Sequence, residues 1–182
     1  MKVINFAEQQ TVVNRYMSEL RDVCIQKDRA RFRRNLERIG EVMAYEISKT
    51  LDYSVKDIQT PLGTAPTLLY NDPIVLGTIF RAGLPFHQGF LNVFEEADNA
   101  FVSATASTKT KNATKWAYIS NIWPHRTERQ NAYHRRPHAG HGGSMELGLK
   151  AFETKGIPGK VHLCSAIASR KGVDYLTETF KD

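Results

Sequence analysis

The chain has 182 residues, 41% of them hydrophobic and 24% charged, enough to bury one core and short for two. No stretch approaches the roughly 18 apolar residues of a spanning helix, and the start MKVINFAEQQ lacks the apolar run of a secretory leader, so a soluble cytoplasmic protein is expected. A formal charge of +6 raises nucleic acid or an anionic membrane as partners, but residues 105–141 alone carry seven Lys/Arg against one acid, Glu128, and the remainder is net zero.

In chain order, residues 8–22 and 29–51 show helical spacing. In the second, Phe32, Leu36, Ile39, Val42, Met43, Ile47 and Leu51 step by three or four, with Arg33, Arg34, Glu37, Arg38 and Glu41 outside. Residues 53–70 alternate around Pro61-Leu62-Gly63, which predicts a hairpin. Residues 73–80 form a continuous apolar run of strand length, as in a strand buried on both faces. Arg81-Ala82-Gly83 ends it, and residues 84–94 read as the following helix. A short strand is predicted over 100–104, a helix from Gly142-Gly143-Ser144 through Lys155, a strand over 160–169 and a helix over 172–180. Strands alternating with helices imply an α/β fold with a mostly parallel sheet flanked by helices. Cys24 and Cys164 lie in apolar-patterned stretches and are expected to be buried free thiols.

In an open parallel sheet, ligands bind at the carboxyl ends of the strands, which draws attention to two turns. At Arg81-Ala82-Gly83 and Gly142-Gly143-Ser144, small residues let backbone N–H groups approach a phosphate, Ser144 offers a hydroxyl, and the helix that follows adds partial positive charge. From spacing alone, the second turn reads equally as a flexible turn with an N-cap, and Arg81 as a solvated surface arginine.

The run RRNLERIGEVMAYEISKTLDYS from Arg33, then NDPIVLGTIFRAGLPFHQGFLNVFEEADNAFVSA through Ala104, and later GGSMELGLKAFETKGIP and CSAIASRKGVDYL, resembles uracil phosphoribosyltransferases of the Bacteroides type. The resemblance implies a type I phosphoribosyltransferase-like fold with an N-terminal helical and hairpin hood. It also implies a reaction joining uracil to phosphoribosyl diphosphate, with Mg²⁺ bound through the diphosphate of that substrate. It assigns Arg81, Ala82 and Gly83 to the diphosphate. The family's ribose-phosphate signature DPMLATGGS aligns with RPHAGHGGS, where Pro137, Gly142, Gly143 and Ser144 match. The aspartate used toward the ribose hydroxyls falls at Arg136, a cation that cannot accept those hydrogen bonds, and a second diphosphate-binding arginine falls at Ala106. The chain stops at Asp182, before the family's PGLGDAGD-type uracil-recognition tail.

The genetic code gives a specific account of the basic segment. Read one nucleotide early from Ala104, codons compatible with TASTKTKNATKWAYISNIWPH can spell YRKYKDEERNEVGVYIEYMASP, which is family-like text. Read one nucleotide late, NAYHRRPHAGH can spell TLTIADPMLAT, which runs into Gly142-Gly143-Ser144 and restores the signature. Three small insertions or deletions are therefore expected, near codon 104, between about 126 and 130, and at 141/142. The same shift explains why Trp116, Trp123 and four of the six histidines cluster there. His134, His138 and His141, with His125 nearby, have ligand-compatible spacing, but histidines that arise from shifted codons predict no metal site.

These readings make residues 1–182 a single phosphoribosyltransferase domain, C-terminally truncated, with 105–141 out of frame. The expected function is uracil phosphoribosyltransferase in pyrimidine salvage, inactive in this polypeptide as written; a non-catalytic regulator or binding module on the same fold is the alternative. Uracil and phosphoribosyl diphosphate are the expected partners, with no nucleic acid, no membrane, and a homo-oligomer, dimer or higher. Thr105 to His141 is expected to be the least ordered part of the chain. Charged and imidazole side chains over 131–141 predict a sheet without a central strand there, leaving the strands at 74–80 and 161–168 with unpaired edges.

Overall fold

A computed structural model describes residues 2–80, 83–103, 131–139, 143–154 and 156–180, with the side chains of 103, 131–139 and 144 outside the description. Helix α1 covers Val13–Arg21 and α2 covers Arg29–Ser48, separated by a 3-10 turn at Ile25–Lys27. Asp28 starts α2 as an N-cap, its Oδ1 accepting from the backbone N–H groups of Ala30 and Arg31 at 3.0 Å each. The helical spacing of residues 29–51 becomes a buried stripe of Leu36, Ile39, Ala44 and Ile47. On the same helix, Asn35 is fully buried and donates to Glu19 Oε2 of α1 at 2.8 Å, tying the two helices together.

Strands β1 (Tyr53–Thr60) and β2 (Gly63–Tyr70) form a separate antiparallel hairpin, closed by Pro61-Leu62 between the Thr60↔Gly63 pair. Gly63 has φ +132°, a conformation that favours glycine. The hairpin is anchored at its open end, where the Tyr70 ring packs edge-on against Tyr53 and Phe94.

The main sheet has four strands, β3 (Ile74–Phe80), β4 (Asp98–Ser103), β5 (Asn131–Ala139) and β6 (Val161–Ala168), in the order β4-β3-β5-β6, and every pair is parallel. Helix α3 (Leu84–Leu91) joins β3 to β4, α4 (Gly143–Glu153) lies between β5 and β6, and α5 (Arg170–Thr179) follows β6. Alternation along β3 sends its side chains to two helical layers. Ile74 and Leu76 join α2 and the α3 aromatics Phe86 and Phe90, with Phe94 just beyond, in the larger core; Val75 packs with Ala100, Val102 and Phe152 of α4 on the other face. The apolar run at 73–80 is thus a strand buried on both faces, as its composition predicts.

Two expectations are corrected. The sheet does have a central strand in the basic segment: β5 pairs with β3 from Ile74↔Asn131 to Thr78↔Arg135 and with β6 from Ala132↔Val161 to Ala139↔Ala168, so neither neighbour has an open edge there. Without β5, the N–H and C=O groups along the facing edges of β3 and β6 would go unpaired. A backbone placed between them meets this main-chain requirement at every paired residue, Pro137 excepted, and the expectation weighed side chains alone. What was expected of 104–130 and 140–142 lies outside the described residues. Cys24, in turn, is exposed while Cys164 is buried. The apolar pattern around Cys24 is interrupted by a turn in which Asp22 Oδ1 accepts from the N–H groups of Cys24 and Ile25, at 2.8 and 2.9 Å, and this puts the thiol outside.

Candidate active site

The strand order identifies where a ligand fits. The connection from β3 runs outward to β4, whereas α4 carries the chain from β5 outward to β6 on the other side. The paths diverge between the carboxyl ends of β3 and β5, which is the switch point where open α/β sheets bind ligands. Pro137 contributes to the opening. It has no N–H to give, the β3–β5 ladder ends at Thr78↔Arg135, and the β5–β6 pairing passes from Arg136↔Ser165 to His138↔Ile167 without it.

The two turns singled out in the sequence stand at these strand ends. Gly83 follows β3 as the residue before α3, and its carbonyl accepts the His87 N–H at 2.8 Å. A Cβ on Gly83 would come within 2.7 Å of Thr78 Cγ2 and 3.0 Å of the Ile79 carbonyl oxygen, so the turn closes tightly on the strand it leaves. Gly143 opens α4, and among the described residues an added Cβ there would meet nothing within 4 Å. Arg81, Ala82 and Gly142 lie outside the described residues, as do the side chains of Pro137 and Ser144. The imidazoles of His134 and His138, and the whole of His125 and His141, are likewise outside the description.

Beneath the first turn lies a polar group that sequence reasoning missed. Thr78 on β3 is fully buried and His87 on α3 nearly so. Thr78 Oγ1 is 2.7 Å from His87 Nδ1, and His87 Nε2 is 2.6 Å from Asn99 Oδ1 on β4. Asn99 Nδ2 points to the Ala97 carbonyl at 3.4 Å, so its oxygen faces the ring and Nε2 carries the proton. In the neutral imidazole, Nδ1 then accepts from the Thr78 hydroxyl. The Phe101 ring lies 5.1 Å from His87 and stacks on Phe80, the residue before Arg81, with centroids 4.7 Å apart at 14°. The available signal was Thr78 inside the apolar run IVLGTIF and His87, beside Gln88, inside LPFHQGFL, since buried polar groups need partners.

A parallel sheet with helices on both faces, a hairpin apart from it and glycine-led helices following its two inner strands define the type I phosphoribosyltransferase fold. A solved structure from Aquifex aeolicus superposes with a TM-score of 0.79 at 25% identity, covering 95% of this chain and 80% of that one. A hypoxanthine-guanine phosphoribosyltransferase from Bacillus anthracis shares the fold, with a TM-score of 0.52 at 12% identity over 75% of this chain and 69% of that chain. The family profile for uracil phosphoribosyltransferase matches residues 7–182. A uracil phosphoribosyltransferase of Porphyromonas gingivalis is 46% identical over 184 residues, spanning 100% of this chain and 84% of the relative. That of Methanothermobacter thermautotrophicus is 35% identical over 81% of this chain and 68% of its own length. The chain belongs to the uracil phosphoribosyltransferase family.

Proposed function

We propose that the chain's reaction is the transfer of a phosphoribosyl group from phosphoribosyl diphosphate to uracil, giving UMP and diphosphate, in cytoplasmic pyrimidine salvage. The match of the family profile over residues 7–182 carries this reading. The switch point between β3 and β5, with Gly83 and Gly143 at the starts of the helices beside it, supports this placing of the substrate. In this reading Arg81 is a fixed cation for the diphosphate, with Ala82 and Gly83 completing that turn, while Pro137, Gly142, Gly143 and Ser144 hold the ribose 5-phosphate. Mg²⁺ enters as the counter-ion of the substrate's diphosphate. Charge builds on the departing diphosphate as the ribose carbon becomes cationic, so stabilisation of that charge and alignment of the base drive the reaction, with no nucleophilic side chain. No helix among the described residues is long and apolar enough to cross a membrane.

The out-of-frame reading of 105–141 belongs to the same proposal. It is supported by the confinement of the net charge to that segment and by the two stretches of family text its shifted codons can spell. Self-association is supported by the hairpin, where Val55, Leu62 and Leu68 are 63%, 101% and 64% exposed. The deciding experiment compares UMP formation, with uracil, phosphoribosyl diphosphate and Mg²⁺, by this polypeptide and by a frame-restored, full-length counterpart that carries the PGLGDAGD-type tail. Turnover is expected only from the restored protein, and sequencing of the coding DNA is expected to find the three small shifts. Equal turnover by both forms, or the present frame confirmed at depth, removes the frame account. An inactive restored protein removes the assigned reaction.

A further inference from the structure

We infer that His87 is a positioning residue for the diphosphate-binding turn, fixing the two residues that flank Arg81-Ala82: Gly83 through Thr78, and Phe80 through Phe101. The inference rests on the reading above that this turn receives the diphosphate. His87 reaches the turn in three ways. Its backbone N–H donates to the Gly83 carbonyl at 2.8 Å, forming the first hydrogen bond at the start of α3. Its Nδ1 holds the Thr78 hydroxyl at 2.7 Å. With the hydroxyl held there, Thr78 presents its methyl to Gly83, where an added Cβ would meet it at 2.7 Å. Released from His87, the Thr78 side chain can rotate among its staggered wells and the floor under Gly83 changes shape. The third route is the ring contact with Phe101, which stacks on Phe80. Asn99 Oδ1 holds the far side of the imidazole at 2.6 Å and so sets both its tautomer and its orientation.

Stability alone does not account for this group. Apolar residues of matching shape would fill the space between β3, α3 and β4 without desolvating three polar side chains, often with no loss of stability. What the polar group provides is directionality, since hydrogen bonds at both ring nitrogens leave the imidazole one orientation and hence Thr78 one rotamer. The group also lies where geometry matters most, one helical turn below the candidate site.

The test measures binding of inorganic diphosphate with Mg²⁺ by titration calorimetry on the full chain and four variants. Arg81→Ala tests the reading on which the inference rests and is expected to weaken binding. His87→Asn places an amide oxygen where Nδ1 was and keeps the Thr78 link; His87→Gln reaches toward Asn99 instead and loses it. Thr78→Val keeps the shape of Thr78 and removes the hydroxyl, and it decides the question if the His87 variants do not fold. Gln and Val are expected to weaken diphosphate about ten-fold, the worth of one positioned buried hydrogen bond, with Asn close to the parent. Equal losses in His87→Asn and His87→Gln with Thr78→Val unaffected would assign His87 to packing and overturn the inference. So would parent-like binding by Gln and Val while Arg81→Ala weakens it. Parent-like binding by Arg81→Ala, or no binding by the parent, removes the diphosphate reading itself and the inference with it.

Discussion

The turns after β3 and before α4 both place a glycine at a sheet end, yet for different physical reasons. At Gly83 the missing Cβ is used by the fold, because Thr78 Cγ2 and the Ile79 carbonyl already occupy the space beside it. At Gly143 no atom of the described residues makes such use of it, and none lies within 4 Å of where a Cβ would be. Glycine at a strand-end turn can thus be required by the protein's own packing or stand free of it. Only a comparison of stability with binding separates the two.

The largest expected effect is at Gly83. Gly83→Ala should destabilise the fold by about 1–3 kcal/mol, the usual range for overpacking a fixed site, and weaken diphosphate binding with it. Combining it with Thr78→Ser, which removes the obstructing methyl and keeps the hydroxyl, should recover part of that loss, with a coupling of about 1 kcal/mol in a double-mutant cycle by chemical denaturation. Purely additive losses would mean that the methyl is not what Gly83 avoids. Gly143→Ala should leave stability unchanged or raise it by up to about 1 kcal/mol, since alanine is the better helix former. The same substitution should weaken ribose 5-phosphate binding, read by calorimetry. A clear loss of stability there would erase the contrast between the turns.

The smallest effect is a background titration that must be separated from ligand effects at either turn. Burial, and then the nearby Lys160 ammonium, lower the pKa of His162 on β6 below its usual value of about 6.5. The unfolded chain therefore takes up a proton at about pH 6.5 that the native protein resists, so stability contributed by neutral His162 is fully present above that pH. It falls as pH drops from there through the native pKa. His162→Gln should flatten the denaturation midpoint across this acidic window and leave binding at both turns unaltered. An unchanged pH slope would show that His162 does not set it.

Much of the fold was legible because burial wrote it into periodicity. The stripe from Leu36 to Ile47, the Pro61-Leu62 turn and the run from Ile74 to Phe80 each became the element their spacing predicts. Two parts were not legible. Residues 131–139 carry a side-chain pattern unlike that of a central strand, and what places them there is the main-chain need of β3 and β6, a property of the neighbours rather than of the segment. The Thr78, His87 and Asn99 group is spread over three elements, so no local spacing brings it together. The two turns could be selected as candidates from glycine content and strand ends, but the difference between Gly83 and Gly143 depends on atoms supplied from elsewhere in the fold.

The crossing of α2 and α3 bears on how the first turn can respond when its ligand arrives. A Cβ on Gly40 would come within 2.5 Å of the Phe86 carbonyl oxygen, and one on Gly89 would run into the Glu37 carbonyl, so the two backbones meet with no side chain between them. Two rods in backbone contact have little lubricating layer: sliding or rolling one past the other drives main chain into main chain instead of shifting soft side chains. Asn92, just past the end of α3, adds a latch by donating to Glu37 and Glu41 of α2 at 3.0 and 2.7 Å. Helix α3 is thereby braced against α2 like a beam against a wall, and the start of the helix at Gly83 is held with it.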